Sequence, residues 1–191
     1  MDSISWKYYK REGSDYFGEI EGDWSRIGEL DKASQDIVRI FNDNVQVIGS
    51  EVQKKALEEG KRSLSSNQVL SQIKDSLKTA GFVVEEGKKR ISCQVKAKTF
   101  NLDGLKDNQY ALEVEASRAT LGNQILKDIL EIFLIDGIQF ACIAVRKEYY
   151  FKKDGKIDKS HDFDNTVIFL DPVMESSWVP RKIEGLLIIG Y

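Results

Sequence analysis

The segment ALEVEASRA, residues 111–119, places two glutamates inside an apolar run and limits the folds open to the chain. Side chains alternate between the two faces of a strand, so Glu113 and Glu115 share one face while Leu112 and Val114 share the other. The two carboxylates then lie about 7 Å apart along the strand. Because a buried carboxylate without a partner is costly, this face either opens to water or meets a cation.

The order of hydrophobic patterns around this segment predicts the fold class. Apolar residues at helical spacing cover residues 31–43, 65–81 and 120–137. Strand patterns cover residues 81–86, 90–100, 109–116, 138–146, 166–170 and 185–191. This order indicates an α/β domain with a central mixed β-sheet flanked by helices, in which the uniformly apolar strand 138–146 is buried on both faces.

Length and composition favour a single domain spanning residues 1–191, of which residues 1–63 are predicted to be mainly helical. The formal net charge is −3, so a polyanionic partner requires a local basic cleft. The sequence contains neither a signal peptide nor an apolar run of about 18 residues, which predicts a cytoplasmic protein without membrane contact. Cys93 and Cys142 lie in strand patterns and are expected to be buried thiols in a reducing compartment.

The residue types present exclude several kinds of chemistry. His161 is the only histidine and lies in a polar stretch. This argues strongly against Ser-His-Asp, Cys-His and His-based zinc mechanisms, because each of them needs a histidine at the site. The sequence also lacks a P-loop and a GxGxxG motif, which argues against a nucleotide cofactor.

A third acidic residue favours a metal site next to the two glutamates. The stretch GLKDNQ predicts a hairpin turn centred on Asp107 and Asn108, which pairs residue 103 with 112 or 113 and brings Asp103 next to Glu113. Carboxylates converging from adjacent strands suit Mg²⁺ and can orient a water for phosphodiester hydrolysis. The alternative is that the glutamates simply alternate on a half-exposed sheet face.

The helix pattern at 120–137 has a wider apolar stripe than one sheet contact requires. One row at i, i+4 spacing contains Leu121, Ile125 and Ile129, and a second row beside it contains Leu126, Leu130 and Leu134. Such a helix packs on its own sheet and also against a second subunit, or else fills a larger monomer core. Sequence alone leaves both interpretations open.

Several segments together resemble a known enzyme superfamily. The helix NQVLSQIKDSLKTAGF, the segment NLDGLKDNQYALEVEAS, the following helix and the strand FACIAV resemble the core of the PD-(D/E)xK nucleases. More narrowly, they are similar to type II restriction endonucleases of the BamHI and BglII type, which also tend to end with a V-P segment and an apolar strand carrying I-G. Val179, Pro180 and GLLIIGY match that ending, so the resemblance covers residues 64–191 as a restriction-endonuclease-like catalytic core.

The resemblance implies a Mg²⁺-dependent endonuclease that cuts double-stranded DNA at a palindromic site as a homodimer. It implies that Asp103 is the bridging metal ligand, Glu113 the second ligand and the Val114 backbone carbonyl a third. Glu115 stands where most of the superfamily has Lys, and it would orient or deprotonate the attacking water. The most similar restriction enzymes recognise palindromes with a GATC centre.

The sequence departs from its relatives at some positions. Leu102 stands where a proline or another turn residue often precedes the Asp. Relatives also carry a further acidic or polar residue just after the first core helix, a place that Glu85 or Glu86 fills.

DNA binding requires basic side chains near the acidic pocket to contact phosphates. Two basic runs are candidates, although solvated surface is the ordinary explanation of either: Lys88, Lys89, Arg90, Lys96 and Lys98, and Arg146, Lys147, Lys152, Lys153 and Lys156. The second run is interleaved with aromatic residues, and its KKDGK predicts a hairpin tip. With two residues at the start of the long helix, the predicted DNA-binding residues are Lys98, Arg118, Asn123, Lys152 and Lys153.

Three other functions remain open on the sequence. The chain could be a non-cleaving DNA-binding or regulatory protein on a nuclease scaffold, although such a protein gains nothing from acids facing phosphates. It could also be a nuclease for DNA repair or junction resolution. A structural protein assembled through helix 120–137 predicts a dimer that is indifferent to Mg²⁺ and DNA.

Overall fold

A seven-stranded mixed sheet lies at the centre of the computed structural model, which describes residues 3–13, 16–86, 89–116 and 124–191. The strands are β1 (Ser5–Glu12), β2 (Tyr16–Glu21), β3 (Val83–Val84), β4 (Ile91–Val95), β5 (Lys98–Leu102), β6 (Gly104–Lys106), β7 (Tyr110–Glu115), β8 (Phe140–Val145), β9 (Tyr149–Lys153), β10 (Lys156–Ser160) and β11 (Gly185–Gly190). The helices are α1 (Lys32–Ile48), α2 (Ser50–Glu58), α3 (Ser66–Thr79), α4 (Gln124–Leu134) and α5 (Asp162–Met174), and a 3₁₀ helix covers Trp24–Glu29.

The strand order in the sheet is β2-β1-β11-β8-β7-β6-β3, with β8 in the middle. The neighbours β11, β8 and β7 run parallel, and the outer pairs run antiparallel. Strands β4–β5 and β9–β10 form two separate hairpins. The predicted α/β class, the central mixed sheet and the central position of strand 138–146 are therefore confirmed.

Helices cover both faces of the sheet because alternate side chains of the central strands are apolar on both sides. Leu112 and Val114 of β7 pack with α1 and α3 on one face. Ala111 of the same strand packs with α4 and α5 on the other face. Since side chains alternate along a strand, Glu113 and Glu115 belong to the α4 face.

Local sequence signals explain where the helices begin. The Asp31 carboxylate accepts a hydrogen bond from the Ser34 N–H over 2.9 Å at the start of α1. Ser65 and Gln68 form a reciprocal capping box at the start of α3. Each cap satisfies backbone donors that the first helical turn leaves unpaired.

The prediction that residues 1–63 are mainly helical missed an N-terminal hairpin, since β1 and β2 pair antiparallel and occupy one edge of the sheet. The sequence of β1, SWKYYKRE, does not have the apolar pattern of a buried strand, because a lysine occupies one of its buried positions. Lys7 is 5% exposed and its ammonium contacts Asp171 at 2.7 Å and Glu19 at 2.8 Å. A paired lysine of this kind is compatible with a buried strand.

Two predicted strands have a different structure. The stretch 90–100 is not one strand, because Lys96 adopts a φ of 52° and turns the chain between β4 and β5. The prediction of a strand at residues 166–170 is wrong, because these residues lie within α5. Asp162 and Asp164 occupy the first turn of that helix, where acidic side chains favour a helix N-terminus, and the buried residues Thr166, Leu170 and Met174 follow i, i+4 spacing.

No helix in the described ranges is both long and apolar enough to cross a membrane. Both cysteines are free thiols, with Cys142 buried and Cys93 half-buried. The expected burial is therefore confirmed for Cys142, whereas Cys93 keeps partial access to solvent.

Candidate active site

A tight turn joins β6 to β7 and fixes the register of the hairpin. Asp107 and Asn108 have φ angles of 52° and 56°, the left-handed pair that a two-residue hairpin turn requires. The Gln109 N–H donates to the Lys106 carbonyl over 3.0 Å across this turn. The hairpin predicted from GLKDNQ is therefore confirmed.

The register of this hairpin brings Asp103 to Glu113. Gly104 pairs with Leu112, so the next position of the ladder places Asp103 opposite Glu113. The Val114 N–H donates to Asp103 Oδ2 over 2.8 Å, which fixes the Asp103 carboxylate against the backbone of the acidic strand. The structure therefore places Asp103 beside Glu113, as the hairpin turn predicts.

Glu113 lies in an environment that opposes its negative charge. Its side chain is 7% exposed, and its Oε1 atom has no hydrogen-bond partner in the described part of the chain. Burial, followed by the negative charges of Asp103, Asp128 and Glu131, raises the pKa of the Glu113 carboxyl well above its ordinary value. The positive charge of Lys127 opposes this shift but does not cancel it.

Helix α4 adds two more acids that sequence reasoning missed. Asp128 is 1% exposed and Glu131 is 7% exposed, so both lie on the buried side of the helix. Gln124 Nε2 donates to Asp128 Oδ1 over 3.0 Å, and the Lys127 ammonium lies 3.4 Å from Asp128 Oδ1 and 3.3 Å from Glu131 Oε1. The second Asp128 oxygen, Oδ2, has no hydrogen-bond partner among the described residues.

The pKa values of Asp103, Asp128 and Glu115 are also raised. Burial raises the pKa of Asp103 to about 6, although the bond from the Val114 N–H opposes that shift. Burial raises the pKa of Asp128 to about 6 as well, against the opposing effect of Lys127. Burial and then the charges of Asp128 and Asp103 raise the pKa of Glu115 to about 7.

These side chains have the donor chemistry of a site for a hard divalent cation such as Mg²⁺. We define the acid cluster as Asp103, Glu113, Glu115, Asp128 and Glu131; it offers carboxylate oxygens, the ligands that Mg²⁺ prefers. Its two unpartnered buried oxygens are the kind of atom that a cation satisfies. Within residues 3–13, 16–86, 89–116 and 124–191, no three acidic, His or Cys side chains form a ready-made metal-binding group, so cation binding requires the carboxylates to draw closer.

Three side chains fix the backbone just beyond the acidic strand. The Tyr191 hydroxyl donates to the Glu115 carbonyl over 3.1 Å, and the Ala116 N–H donates to Ser66 Oγ over 3.0 Å. Arg146 Nε donates to the Ala116 carbonyl over 3.0 Å. We call these three residues the backbone clamp; it sets where Glu115 leaves the sheet.

Arg146 is a structural residue rather than the surface cation that its place in the second basic run suggests. It is 1% exposed, and its guanidinium also donates to the carbonyls of Ile48 at 2.9 Å and Leu64 at 3.1 Å. The same group lies over the Tyr191 ring, 5.5 Å from its centroid. Arg146 is therefore too deeply buried to contact a phosphate, and its inclusion among the candidate DNA-binding residues of the second basic run is wrong.

Three of the five predicted DNA-binding residues lie in two hairpins. Lys98 begins β5, and Lys152 and Lys153 end β9; all three are exposed. Arg118 and Asn123 lie outside the described residues.

Of the two acids suggested after α3, Glu85 is the one next to the site. The Glu85 N–H donates to the Asp103 carbonyl over 2.9 Å, and the charge of Glu85 contributes to the raised pKa of Asp103. Glu86 instead pairs with Lys78 on the surface. Of the two, Glu85 is therefore the one that lies beside Asp103.

A sequence signal for the α4 acids does exist. Asp128 and Glu131 are spaced i, i+3 beside Ile125, Ile129 and Ile132, which are the buried apolar residues of that helix. Two acids on an otherwise apolar stripe, facing a strand that also carries acids, indicate a shared cation site.

No protein-family model, no curated protein and no solved structure matches this chain. The resemblance to restriction endonucleases therefore rests on the motifs quoted above, and the candidate site rests on its own geometry.

Proposed function

We propose that the chain is a Mg²⁺-dependent endonuclease that hydrolyses phosphodiester bonds of double-stranded DNA, of the type II restriction enzyme kind. The observation that carries the proposal is the acid cluster, in which Glu113 and Asp128 each keep a buried carboxylate oxygen without a hydrogen-bond partner in the part of the chain that the structure describes. Within the described residues, the Lys127 ammonium contacts Asp128 and Glu131. So many buried acids are unfavourable for folding because their charges repel one another, and a bound cation offsets that repulsion.

Asp103 and Glu113 are the side chains that would hold the cation, together with the Val114 backbone carbonyl. A bound Mg²⁺ supplies charge neutralisation at the phosphate oxygens and at the leaving oxygen. The Val114 N–H holds the Asp103 carboxylate in place through its 2.8 Å bond, so one ligand is positioned before the cation arrives. Asp128 supports the site from α4.

Glu115 is the general base in this proposal. It lies two residues beyond Glu113 on the same strand face and is half-buried, so it reaches the same pocket with partial access to water. As a water oxygen forms a bond to phosphorus, Glu115 takes the water proton. The bond from phosphorus to the departing sugar oxygen breaks, and that oxygen takes a proton from solvent.

Digestion of mixed-sequence duplex DNA tests this proposal. The purified chain is incubated with plasmid and phage DNA at pH 8 with Mg²⁺ and, in parallel, with a chelator. We expect discrete fragments with Mg²⁺ and none with the chelator. Intact DNA in the presence of Mg²⁺, together with retained DNA binding, would instead indicate the non-cleaving DNA-binding protein.

We also propose that the nuclease is a homodimer formed through α4. Of the two apolar rows on this helix, Ile125 and Ile129 are buried in the core. In the second row, Leu126, Leu130 and Leu134 remain 39%, 45% and 50% exposed. A second copy of the chain that packs on this row would bury it, which favours the subunit contact over the larger monomer core.

Replacing Leu126 and Leu130 together by Glu is expected to weaken the dimer at least about 30-fold, because charges placed in an apolar contact must lose their water. Sedimentation velocity over a range of protein concentrations measures this change. Ile168→Glu on α5 is the matched control, since Ile168 is also an exposed apolar residue, at 70%. Dissociation by the control alone would move the interface to α5, and a wild-type monomer would remove the dimer from the proposal.

A further inference from the structure

The hairpin formed by β4 and β5 has a charge unlike the rest of the chain. Residues 89–102 contain four cations and no acid, whereas the whole chain has a formal net charge of −3. Lys89 and Arg90 stand at its base, and Lys96 and Lys98 stand at its tip, all of them exposed. A local positive surface of this kind attracts a polyanion.

The two faces of this hairpin differ in chemistry. Strand alternation and the cross-strand register give one face an apolar set that packs against the α4 side of the core: Ile91, Cys93, Val95, Phe100 and Leu102. The opposite face therefore points away from the core. The hairpin is anchored by its apolar face and presents the other to solvent.

The outward face consists of uncharged polar side chains. Ser92 pairs with Asn101, and Gln94 pairs with Thr99 across the hairpin. Ser92, Gln94 and Thr99 are exposed, and Asn101 is half-buried. Ser92 Oγ donates to Asn101 Oδ1 over 2.9 Å, which orients the Asn101 amide so that its NH₂ group remains available to a partner.

The hairpin leads directly into the acid cluster. Strand β5 ends at Leu102, and the next residue is Asp103. Asn101 and Thr99 therefore lie only two and four residues before Asp103 along the chain.

We infer that the β4–β5 hairpin enters the major groove of duplex DNA and reads base edges through Gln94, Thr99 and Asn101, while its lysines contact phosphates. This inference rests on the proposed function. A two-stranded ribbon fits the major groove, where Asn and Gln amides pair with adenine and hydroxyls pair with several bases. The polar face extends over about 7 Å along the strands and about 5 Å across them, which matches a step of about two base pairs.

The second hairpin has different chemistry and suits a different role. Residues 149–160 carry Lys152, Lys153, Lys156 and Lys159, but also Asp154 and Asp158. Acids within the hairpin weaken its attraction for DNA, and lysines contact phosphates as point charges without reading sequence. The amide-bearing hairpin is therefore the better candidate for base recognition.

Selection of bound duplexes tests the inference independently of cleavage. A pool of duplexes with a mixed-sequence centre is bound to the full chain in Ca²⁺, which takes the same hard oxygen ligands as Mg²⁺, and the bound fraction is sequenced. Dissociation constants are then measured for the preferred duplex and for its single-base variants. We expect Gln94→Ala or Asn101→Ala to reduce discrimination at one or two base positions by about 5- to 150-fold, while the affinity for mismatched duplexes stays within about twofold.

Two further variants separate base reading from general attraction. Lys96→Ala is expected to weaken binding to every duplex evenly and to lower the slope of log affinity against log salt by about one. Gln46→Ala is the matched control, because Gln46 is an exposed glutamine on α1, on the opposite face of the sheet, and it should change neither quantity. Circular dichroism checks folding, and Gln94→Ala carries the test if the half-buried Asn101 variant fails to fold.

Each outcome decides between the two ideas. A base preference that survives unchanged in both Gln94→Ala and Asn101→Ala, or a wild type without base preference, overturns the hairpin inference and leaves the nuclease proposal standing. A wild type that binds no duplex in Ca²⁺ overturns both. Loss of preference in the hairpin variants but not in Gln46→Ala supports the inference.

Discussion

Glu113→Gln is expected to lower the rate of Mg²⁺-dependent DNA cleavage at least about 10³-fold. The substitution keeps the size of a side chain that is only 7% exposed, so it removes the charge without leaving a cavity. The amide is a much weaker ligand for a hard cation than the carboxylate, and the charge at the phosphate is then left without compensation. The initial rate of cleavage of a supercoiled plasmid at pH 8 measures the loss.

Asp103→Asn should produce a similar loss, since its Oδ1 can still accept the bond that the Val114 N–H now donates to the carboxylate. Glu86→Gln is the control for both, because Glu86 is a nearby exposed glutamate that pairs with Lys78. Its cleavage rate should equal that of the wild type. A Glu113→Gln protein that keeps more than about one tenth of the wild-type rate would contradict the assignment of the metal ligand.

Without a metal ion, the wild type should be less stable at pH 8 than at pH 5, and Glu113→Gln should reduce this difference. The pKa values of Asp103 and Asp128 are raised to about 6, and that of Glu115 to about 7. Acids with raised pKa values bind more protons in the folded state than in the unfolded state. Stability from the acid cluster is therefore greatest below about pH 4 and falls as the pH rises to about 7.

Glutamine at position 113 cannot ionise, so at pH 8 in a chelator we expect Glu113→Gln to have a higher free energy of unfolding than the wild type. At pH 4 the two proteins should be alike. Mg²⁺ should raise the thermal midpoint of the wild type at pH 8 and leave that of the variant nearly unchanged, because a ligand stabilises only the state that binds it. Urea unfolding and thermal scans measure these quantities.

Glu86→Gln again serves as the control, since the Glu86 carboxylate is exposed and its removal should leave the pH dependence unaltered. A wild type equally stable at pH 5 and pH 8 and indifferent to Mg²⁺ would show that the acid cluster is a solvated sheet face. That result would favour the structural protein among the alternatives.

Local chemistry explains why part of the site could be predicted from the sequence. The Asp107–Asn108 turn determines the hairpin register, and the register alone brings Asp103 to Glu113. The wide apolar stripe on α4 is also evident from the sequence, although the exposure of its second leucine row is shown only by the structure. In each case the relevant residues lie within one hairpin or one helix.

The missed features depend on contacts between distant elements. Asp128 and Glu131 join the site only through the way α4 is rotated against the sheet, which helical spacing alone does not determine. The strand β1 looks polar because Lys7 finds partners at Glu19 and at Asp171, far along the chain. The turn at Lys96 lacks the glycine or asparagine that usually marks a left-handed residue.

The backbone clamp has a consequence for the order of events in folding. Strand β11 lies between β1 and β8, and Ser5 pairs with Gly190, so the sheet closes only when distant parts of the chain meet. Pairings of such high contact order form late and slowly. Tyr191 and Arg146 then reach the acidic strand from the ends of β11 and β8. Until they do, a partly folded chain holds Asp103, Glu113 and Glu115 on a hairpin that lacks two of the three contacts of the backbone clamp. The proposed cleavage of DNA should therefore begin only after the whole sheet has formed.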